Sequence, residues 1–293
     1  MRSGLGLVLR NLPSASVATI AAAAEAAGIG HLYLPETGLG NAPVIGRDPF
    51  ITSAAALRAT SHLMVGPGIA ASTVRAARST GVLAATLNED SGGRFVLGVG
   101  VSHKGVIEAL GLPFPSSPLT QLTGYVRELK TLSAQGLTFG SGFPVVVGAL
   151  GPKMVSLAAR EADGVVLNWL TPQTAGDICS KVIADRPDSP ASTVLFVRTG
   201  PEENLRLDAS TYRDNLPNYR NHFQAQGLQS IDEVTRGTCM PMDPSAISDR
   251  INEYFEHGVA IPCIYPTGMS VEQIVTLLDK LRANGIRTTG GIT

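Results

Sequence analysis

The chain has 293 residues, 44% of them hydrophobic and only 5% aromatic, with a formal net charge of −1. That charge, with basic residues scattered and in no run, argues against a nucleic-acid binder, and the aliphatic bias suits buried parallel strands better than an antiparallel sandwich. No apolar run approaches the ~18 residues of a membrane span, and three cysteines, Cys179, Cys239 and Cys263, without metal or disulfide spacing, read as reduced thiols of a cytoplasmic protein.

The first strand-like run, 5–9, leads through Arg10-Asn11-Leu12-Pro13 into a helical pattern at 16–27. Pro13 before the apolar stretch and Glu25 within it make this a strand and a helix rather than a targeting segment. Further strand-like runs follow at 31–34, 63–69, 94–100, 145–148, 164–168, 193–198 and 260–265. Helical patterns lie between and after them at 49–60, 76–89, 118–134, 153–162, 172–184, 245–257 and 270–283. Ser14, Asp48-Pro49, Thr171-Pro172, Asp243-Pro244 and Ser270 with Gln273 supply cap signals. Region 200–237 departs from the pattern, with one long polar helix at 207–226 that reads as an amphipathic barrel helix or as a substrate-facing lid. The irregular stretches 37–48, 101–117 and 199–206 all follow strands.

About eight strands alternating with about eight helices predict a single (β/α)8 TIM-barrel domain over 1–293. A doubly wound open sheet competes, but it usually carries a glycine fingerprint after its first strand, and the first turn here has no glycine. In a barrel the three irregular stretches lie on the active-site face. The sequence has no P-loop, no Gly-x-Ser-x-Gly elbow, no His-Glu-x-x-His and no metal-site spacing, so no metal is expected.

Residues 142–169 read as strand, glycine turn, helix, strand. Gly148 and Gly151 let backbone approach a ligand, and Pro152 falls at the first helical position, where its missing N–H is no loss. The N–H groups of the next turn are free to bind an anion, naturally a phosphate. Gly148, Ala149, Leu150, Gly151 and Pro152 are thus a candidate phosphate cradle. Lys153 lies one residue into the helix, as a phosphate partner or a solvated side chain.

Ser-Gly-Gly-Arg-Phe-Val-Leu-Gly-Val-Gly (91–100) resembles the fourth strand of luciferase-like monooxygenases. Gly-Ala-Leu-Gly-Pro-Lys-Met (148–154) with Ala-Asp-Gly-Val-Val-Leu-Asn-Trp (162–169) is similar to the fifth and sixth strand region of that superfamily, and Val-Gly-Pro-Gly-Ile (65–69) to its third strand. Gly-Val-Ser-His (100–103) and Leu-Pro-Asn-Tyr (216–219) resemble a clade that uses the deazaflavin coenzyme F420. The resemblance covers nearly the whole chain.

It implies a bacterial luciferase-like TIM barrel holding coenzyme F420, or alternatively FMN, at the C-terminal ends of its strands, with hydride transfer at the central ring. It further implies that Asn168, Trp169 and Thr171 close the other side of the phosphate cradle, and that Gly68, Ile69 and Ala70 prop the ring through a non-prolyl cis peptide at Gly68–Ile69. Many relatives carry an Asp-His pair where this chain has Glu36-Thr37. Glu36 is therefore a candidate catalytic carboxylate or a loop cap, and the departure puts the usual proton transfer in doubt. His103 stands about where several deazaflavin enzymes place a glutamate acid, and an imidazole there would donate a proton near neutral pH. Ser102 would hydrogen-bond the ring or the substrate. Arg75 and Arg78 read as a solvated helix start more than as partners of an acidic cofactor tail, and Arg94 as a structural ion-pair partner at the opposite face. The expected partner is a small-molecule substrate, and the family implies a homodimer. An F420-dependent oxidoreductase leads, followed by an FMN monooxygenase, a catalytically silent flavin-binding protein and a barrel enzyme for a phosphorylated metabolite.

Overall fold

The computed structural model describes residues 1, 3–38, 46–135 and 142–288. Residues 39–45, within the expected irregular stretch 37–48, lie outside the described residues. The elements run β1 (Gly6–Val8), α1 (Ser14–Ala26), β2 (His31–Leu34), α2 (Pro49–Arg58), β3 (Met64–Pro67), β4 (Ala70–Ala71), α3 (Ala77–Asp90), β5 (Leu97–Gly100), α4 (Lys104–Ala109) and α5 (Pro118–Gln135). They continue with β6 (Val145–Gly148), α6 (Pro152–Glu161), β7 (Gly164–Asn168), α7 (Pro172–Asp185), β8 (Ser192–Thr199), α8 (Glu202–Asn215), α9 (Pro217–Ala225) and α10 (Ile231–Thr238). The last are β9 (Cys239–Met240), α11 (Pro244–Glu256), β10 (Ile261–Pro266) and α12 (Val271–Ala283).

The sheet order is β3-β2-β1-β10-β8-β7-β6-β5-β4, with β9 added beside β8. β3 and β4 are two halves of one strand, interrupted at a cis Gly68–Ile69 peptide. The first half pairs with β2 and the second with β5. A parallel bridge from Val65 to Phe95 joins the first half to the β5 side, so the ring comes round on itself. With β3 and β4 counted as one strand and β9 left aside, eight parallel strands form the expected barrel.

Side-chain alternation divides the core. Leu195 and Val197 of β8 face the helices, within one large aliphatic cluster. Val194 and Phe196 face inward with Val8, Tyr33, Val146, Val166 and Tyr265, filling the barrel axis. Two glycines make the closing seam fit: a Cβ on Gly66 would lie 1.6 Å from the Val96 carbonyl oxygen, and one on Gly98 would lie 2.0 Å from that of Pro67.

Four of the cap signals hold. Asp48, Thr171, Asp243 and Ser270 each accept a backbone N–H of their helix, Ser270 within a full capping box. Ser14 does not: α1 already includes it, and Pro13 occupies the cap without a side-chain bond. The long helix expected at 207–226 is two helices, because Pro217 forces Leu216 into extended backbone and restarts the chain as α9. Stretches expected to be irregular hold α4 and the start of α8. Arg94 is structural, but its partners are the carbonyls of Leu57, Leu63 and Ser91 and the Thr60 hydroxyl rather than a carboxylate.

Candidate active site

Barrel strands present their C-terminal ends to one mouth, and among the described residues three non-glycine ones with left-handed backbone sit just beyond them. Asn11 follows β1 at φ 56°, Ser102 follows β5 at φ 62°, and Trp169 follows β7 at φ 56°. Such residues cost about 1–3 kcal/mol each and persist where their surroundings hold them in place. Trp169 shows how: its carbonyl accepts from His222 Nε2 at 2.9 Å and from Gln226 Nε2 at 2.9 Å, while Gln226 Oε1 accepts the Thr171 N–H at 3.0 Å. Helix α9 is thereby fastened over the loop 169–171.

At the start of α6 the cradle takes the expected form, with Gly151 as N-cap and Pro152 in the first turn. No side chain caps this helix. Among the described residues the amides of Leu150, Gly151 and Lys153 donate to no protein acceptor, whereas that of Ala149 is spent on the Val166 carbonyl at 3.0 Å. Nothing lies within 4 Å of a Cβ built on Gly151. Leu150 and Pro152 also line a cavity of about 490 Å³ between α6, α7 and α9, with Thr174, His222 and Gln226 on its walls. The cradle is therefore neither plugged by a side chain nor turned away from open space. The Lys153 side chain is exposed.

Gly68 is buried, and a Cβ there would strike Tyr33 and Phe196 at 2.7 and 2.8 Å. The side chain of Ile69 lies across Gly100 and Gly148, 3.0 and 3.3 Å from the Cβ each lacks. Ile69, partly exposed, and the buried Ala70 thus form a step beside the cradle. Glu36 fastens this step: its N–H donates to the Ile69 carbonyl at 3.2 Å, and its Oε2 accepts the Ala71 N–H at 2.8 Å. Its other oxygen is ion-paired with Arg75, and the side chain is only 4% exposed. Both carboxylate oxygens are engaged, the arrangement of a loop anchor rather than of a free acid. Arg75 is no solvated helix start: it lies between Glu36 and Asp48 and over the Phe50 ring. Arg78 is exposed.

Ser102 and His103, partly exposed, follow β5, the strand between the step and the cradle, and His103 occupies the N-cap position of α4 without a side-chain cap bond. Burial lowers the His103 pKa, so the imidazole is neutral at pH 7 and stands ready to accept a proton rather than donate one. Its ring centroid lies 5.9 Å from that of Tyr219.

The largest feature that the sequence reading missed is a buried polar chain across the mouth. Arg198, 1% exposed at the end of β8, donates from Nε to Asp208 Oδ2 at 2.6 Å and from Nη1 to Asn168 Oδ1 at 2.7 Å. Its guanidinium lies 3.8 Å from the Trp169 ring centroid and 4.7 Å from that of Tyr265. Arg10 donates to the other Asp208 oxygen at 3.2 Å, and Asn168 Nδ2 donates to Tyr219 Oη at 3.1 Å. Although burial opposes charge here, the paired Asp208 carboxylate raises the Arg198 pKa, and the two guanidiniums hold that of Asp208 below its usual range. Trp169 is enclosed in this assembly and presents no side chain to the mouth. One signal was available: Arg198 is a lone charge at the C-terminal end of an apolar strand, where barrel enzymes carry functional side chains.

Comparison with known proteins bears on this geometry. A family model described as luciferase-like monooxygenase matches residues 8–260. A 5,10-methylenetetrahydromethanopterin reductase of Methanolobus tindarius is 30% identical over 143 residues, 43% of this chain and 44% of the reductase. A putative coenzyme F420-dependent oxidoreductase of Mycobacterium tuberculosis is 29% identical over 195 residues, 56% of this chain and 54% of that protein. The chain therefore spans about half the length, or less, of these curated relatives. Among solved structures, an F420-dependent secondary alcohol dehydrogenase in complex with an F420-acetone adduct superposes with a TM-score of 0.78 at 14% identity, over 96% of this chain and 98% of its own. That likeness establishes a shared fold. No helix among the described residues is long and apolar enough to cross a membrane.

Proposed function

The chain belongs to the luciferase-like monooxygenase family, and from that premise we propose an oxidoreductase that moves a hydride between coenzyme F420 and a small organic substrate. The observation that carries this reading is the set of undonated amides at Leu150, Gly151 and Lys153 beside the Ile69–Ala70 step. An uncapped helix start with spare N–H groups fits a phosphate, and an apolar step next to it fits the flat face of a tricyclic ring.

When bound, the cofactor supplies the chemistry of accepting or giving a hydride at its central ring. The remaining work falls to this chain. Leu150, Gly151 and Lys153 hold the phosphate by backbone N–H, with Gly148 leaving room, and Asn168 and Thr171 border the other side. Gly68, Ile69 and Ala70 support the ring, with Glu36 and Arg75 fixing the height of the step. Ser102 and His103 face the substrate. In the oxidising direction the neutral His103 imidazole takes the proton of a substrate hydroxyl, and the O–H electron pair becomes the second C–O bond. The proton on His103 and the hydride from the carbon bearing that oxygen, for which the bound cofactor would supply the acceptor, account for both hydrogens lost.

Titration of the purified protein with F420 and with FMN, followed by fluorescence quenching, tests the assignment. Saturable F420 binding is expected, and tight FMN binding with none of the deazaflavin rejects it in favour of a flavin monooxygenase. The engagement of Glu36 with Arg75 and Ala71 favours a second reading, a cofactor-binding protein without turnover. That reading predicts F420 binding with no reaction that His103→Ala alters.

A further inference from the structure

Tyr219 appears in no role above, yet its hydrogen-bonding leaves one donor unspent. An arginine has no acceptor atom, so the Asn168 atom facing Arg198 Nη1 at 2.7 Å is the amide oxygen. The amide nitrogen therefore faces Tyr219 Oη, at 3.1 Å, and donates to it. Because Asn168 fills an acceptor position on the phenol oxygen, the Tyr219 hydrogen points elsewhere. Among the described residues no protein atom accepts it. Arg198 is in turn held by Asp208, itself held by Arg10. The direction of one hydroxyl hydrogen is thus set by a chain of four side chains anchored in β7, β8, α8 and the turn after β1.

That hydroxyl is also well placed. Asn168 ends β7, His103 follows β5, and β6 lies between those strands in the sheet. A residue bonded to the first and 5.9 Å, ring to ring, from the second stands over the end of β6, where the cradle begins. Tyr212 packs edge-on at 4.7 Å and Phe223 at 6.3 Å, so the phenol has little freedom to swing away. Burial keeps it protonated by raising its pKa, and a buried donor without an acceptor is costly to leave unmade.

We propose that Tyr219 is a further catalytic residue, donating a hydrogen bond to the substrate oxygen whose proton His103 takes, and that Asn168 and Arg198 are the residues that aim it. This rests on the hydride-transfer reading above and specifies its substrate class: an alcohol or carbonyl compound whose reacting oxygen sits between an imidazole that accepts and a phenol that donates. Tyr219 keeps its proton throughout. Its contribution is strongest when negative charge gathers on that oxygen, so it lowers the barrier more than it tightens ground-state binding.

Two measurements test this. Neutron diffraction of the cofactor-free protein should place the Tyr219 hydroxyl deuterium off the Asn168 axis and toward the mouth; a deuterium lying on Asn168, with the amide reversed, overturns the proposal. With F420 bound, Tyr219→Phe should quench deazaflavin fluorescence with an unchanged midpoint, while kcat for oxidation of a secondary-alcohol panel from 2-propanol to cyclohexanol falls on the order of 10²-fold. Asn168→Asp, which replaces the aiming donor by an acceptor, should cost a similar factor in kcat, and the double variant should be no worse than either single one. Weaker F420 binding at unchanged kcat in Tyr219→Phe would assign the donor to the cofactor and overturn the proposal. Failure of the wild-type chain to bind F420 or to oxidise any alcohol rejects the parent reading instead, and the deuterium position then still decides where the phenol points.

Discussion

Ser102 holds φ at 62°, a backbone conformation that a side chain resists by about 1–2 kcal/mol, and it sets the direction in which His103 leaves the strand. Glycine adopts that conformation at little cost. Ser102→Gly should therefore leave the melting temperature unchanged or raise it by a few degrees. The loop carrying His103 would loosen, lowering turnover severalfold. Equal activity in calorimetrically intact protein would show that the strained residue does not position the imidazole. His103 also has a pH signature. Burial lowers its pKa and that of His222 from the ordinary 6.5. Below 6.5 the unfolded chain then binds more protons than the folded one, so stability rises with pH through this window and is lost on acidification. Urea midpoints at pH 7.5 and 5.5 should differ less in His103→Gln than in the wild type.

At the scale of elements, α8 and α9 form the roof, and each is tied down by polar groups as well as by packing. Gln226, the C-cap of α9, bonds both ends of the 169–171 loop, and Asp208 of α8 is the only carboxylate shared by Arg10 and Arg198 among the described residues. Removing one partner from a buried ion pair leaves an uncompensated charge, typically at a cost of about 3–5 kcal/mol. Asp208→Asn should lose about that much in urea unfolding, and adding Arg198→Met should recover part of it because the stranded charge goes too. A loss below roughly 1 kcal/mol would mean that water relieves Arg198 without the carboxylate. The break between α8 and α9 was legible in principle, since Pro217 is visible in the sequence. Reading 207–226 as one helix gave amphipathic pattern precedence over a residue that cannot continue a helix without strain. The same roof hides Tyr219 from sequence reasoning. Asn168, which bonds it, and Arg198, which holds Asn168, lie on the neighbouring strands β7 and β8, and no local pattern marks residues that meet only when the roof closes over the barrel.

The barrel as a whole was legible because each of its eight strands carries its own local signature, and four caps and the Gly151-Pro152 helix start landed where residue chemistry put them. The fate of Glu36 was not, since its capture by Arg75 depends on how α3 approaches the step. Two glycines now separate the closing of the ring from the work of its mouth. A methyl on Gly98 would press on the Pro67 carbonyl at 2.0 Å, a backbone atom that moves only if the seam between the two halves of the third strand and β5 opens. Gly98→Ala should therefore cost about 3 kcal/mol, a fall in melting temperature of roughly 6–12 °C. Gly151 has open space where its methyl would go and φ −92°, which alanine adopts freely. Gly151→Ala should lose less than about 1 kcal/mol, the difference between glycine and alanine at a helix cap. Its methyl would nonetheless stand where a phosphate approaches the Leu150, Gly151 and Lys153 amides, weakening F420 binding about tenfold or more, roughly one lost charge-assisted hydrogen bond. Thermal melting and F420 titration on both variants check the pair. If Gly151→Ala melts like the wild type and binds F420 with undiminished affinity, the anion does not sit at the start of α6, and the cofactor must be held from another part of the mouth.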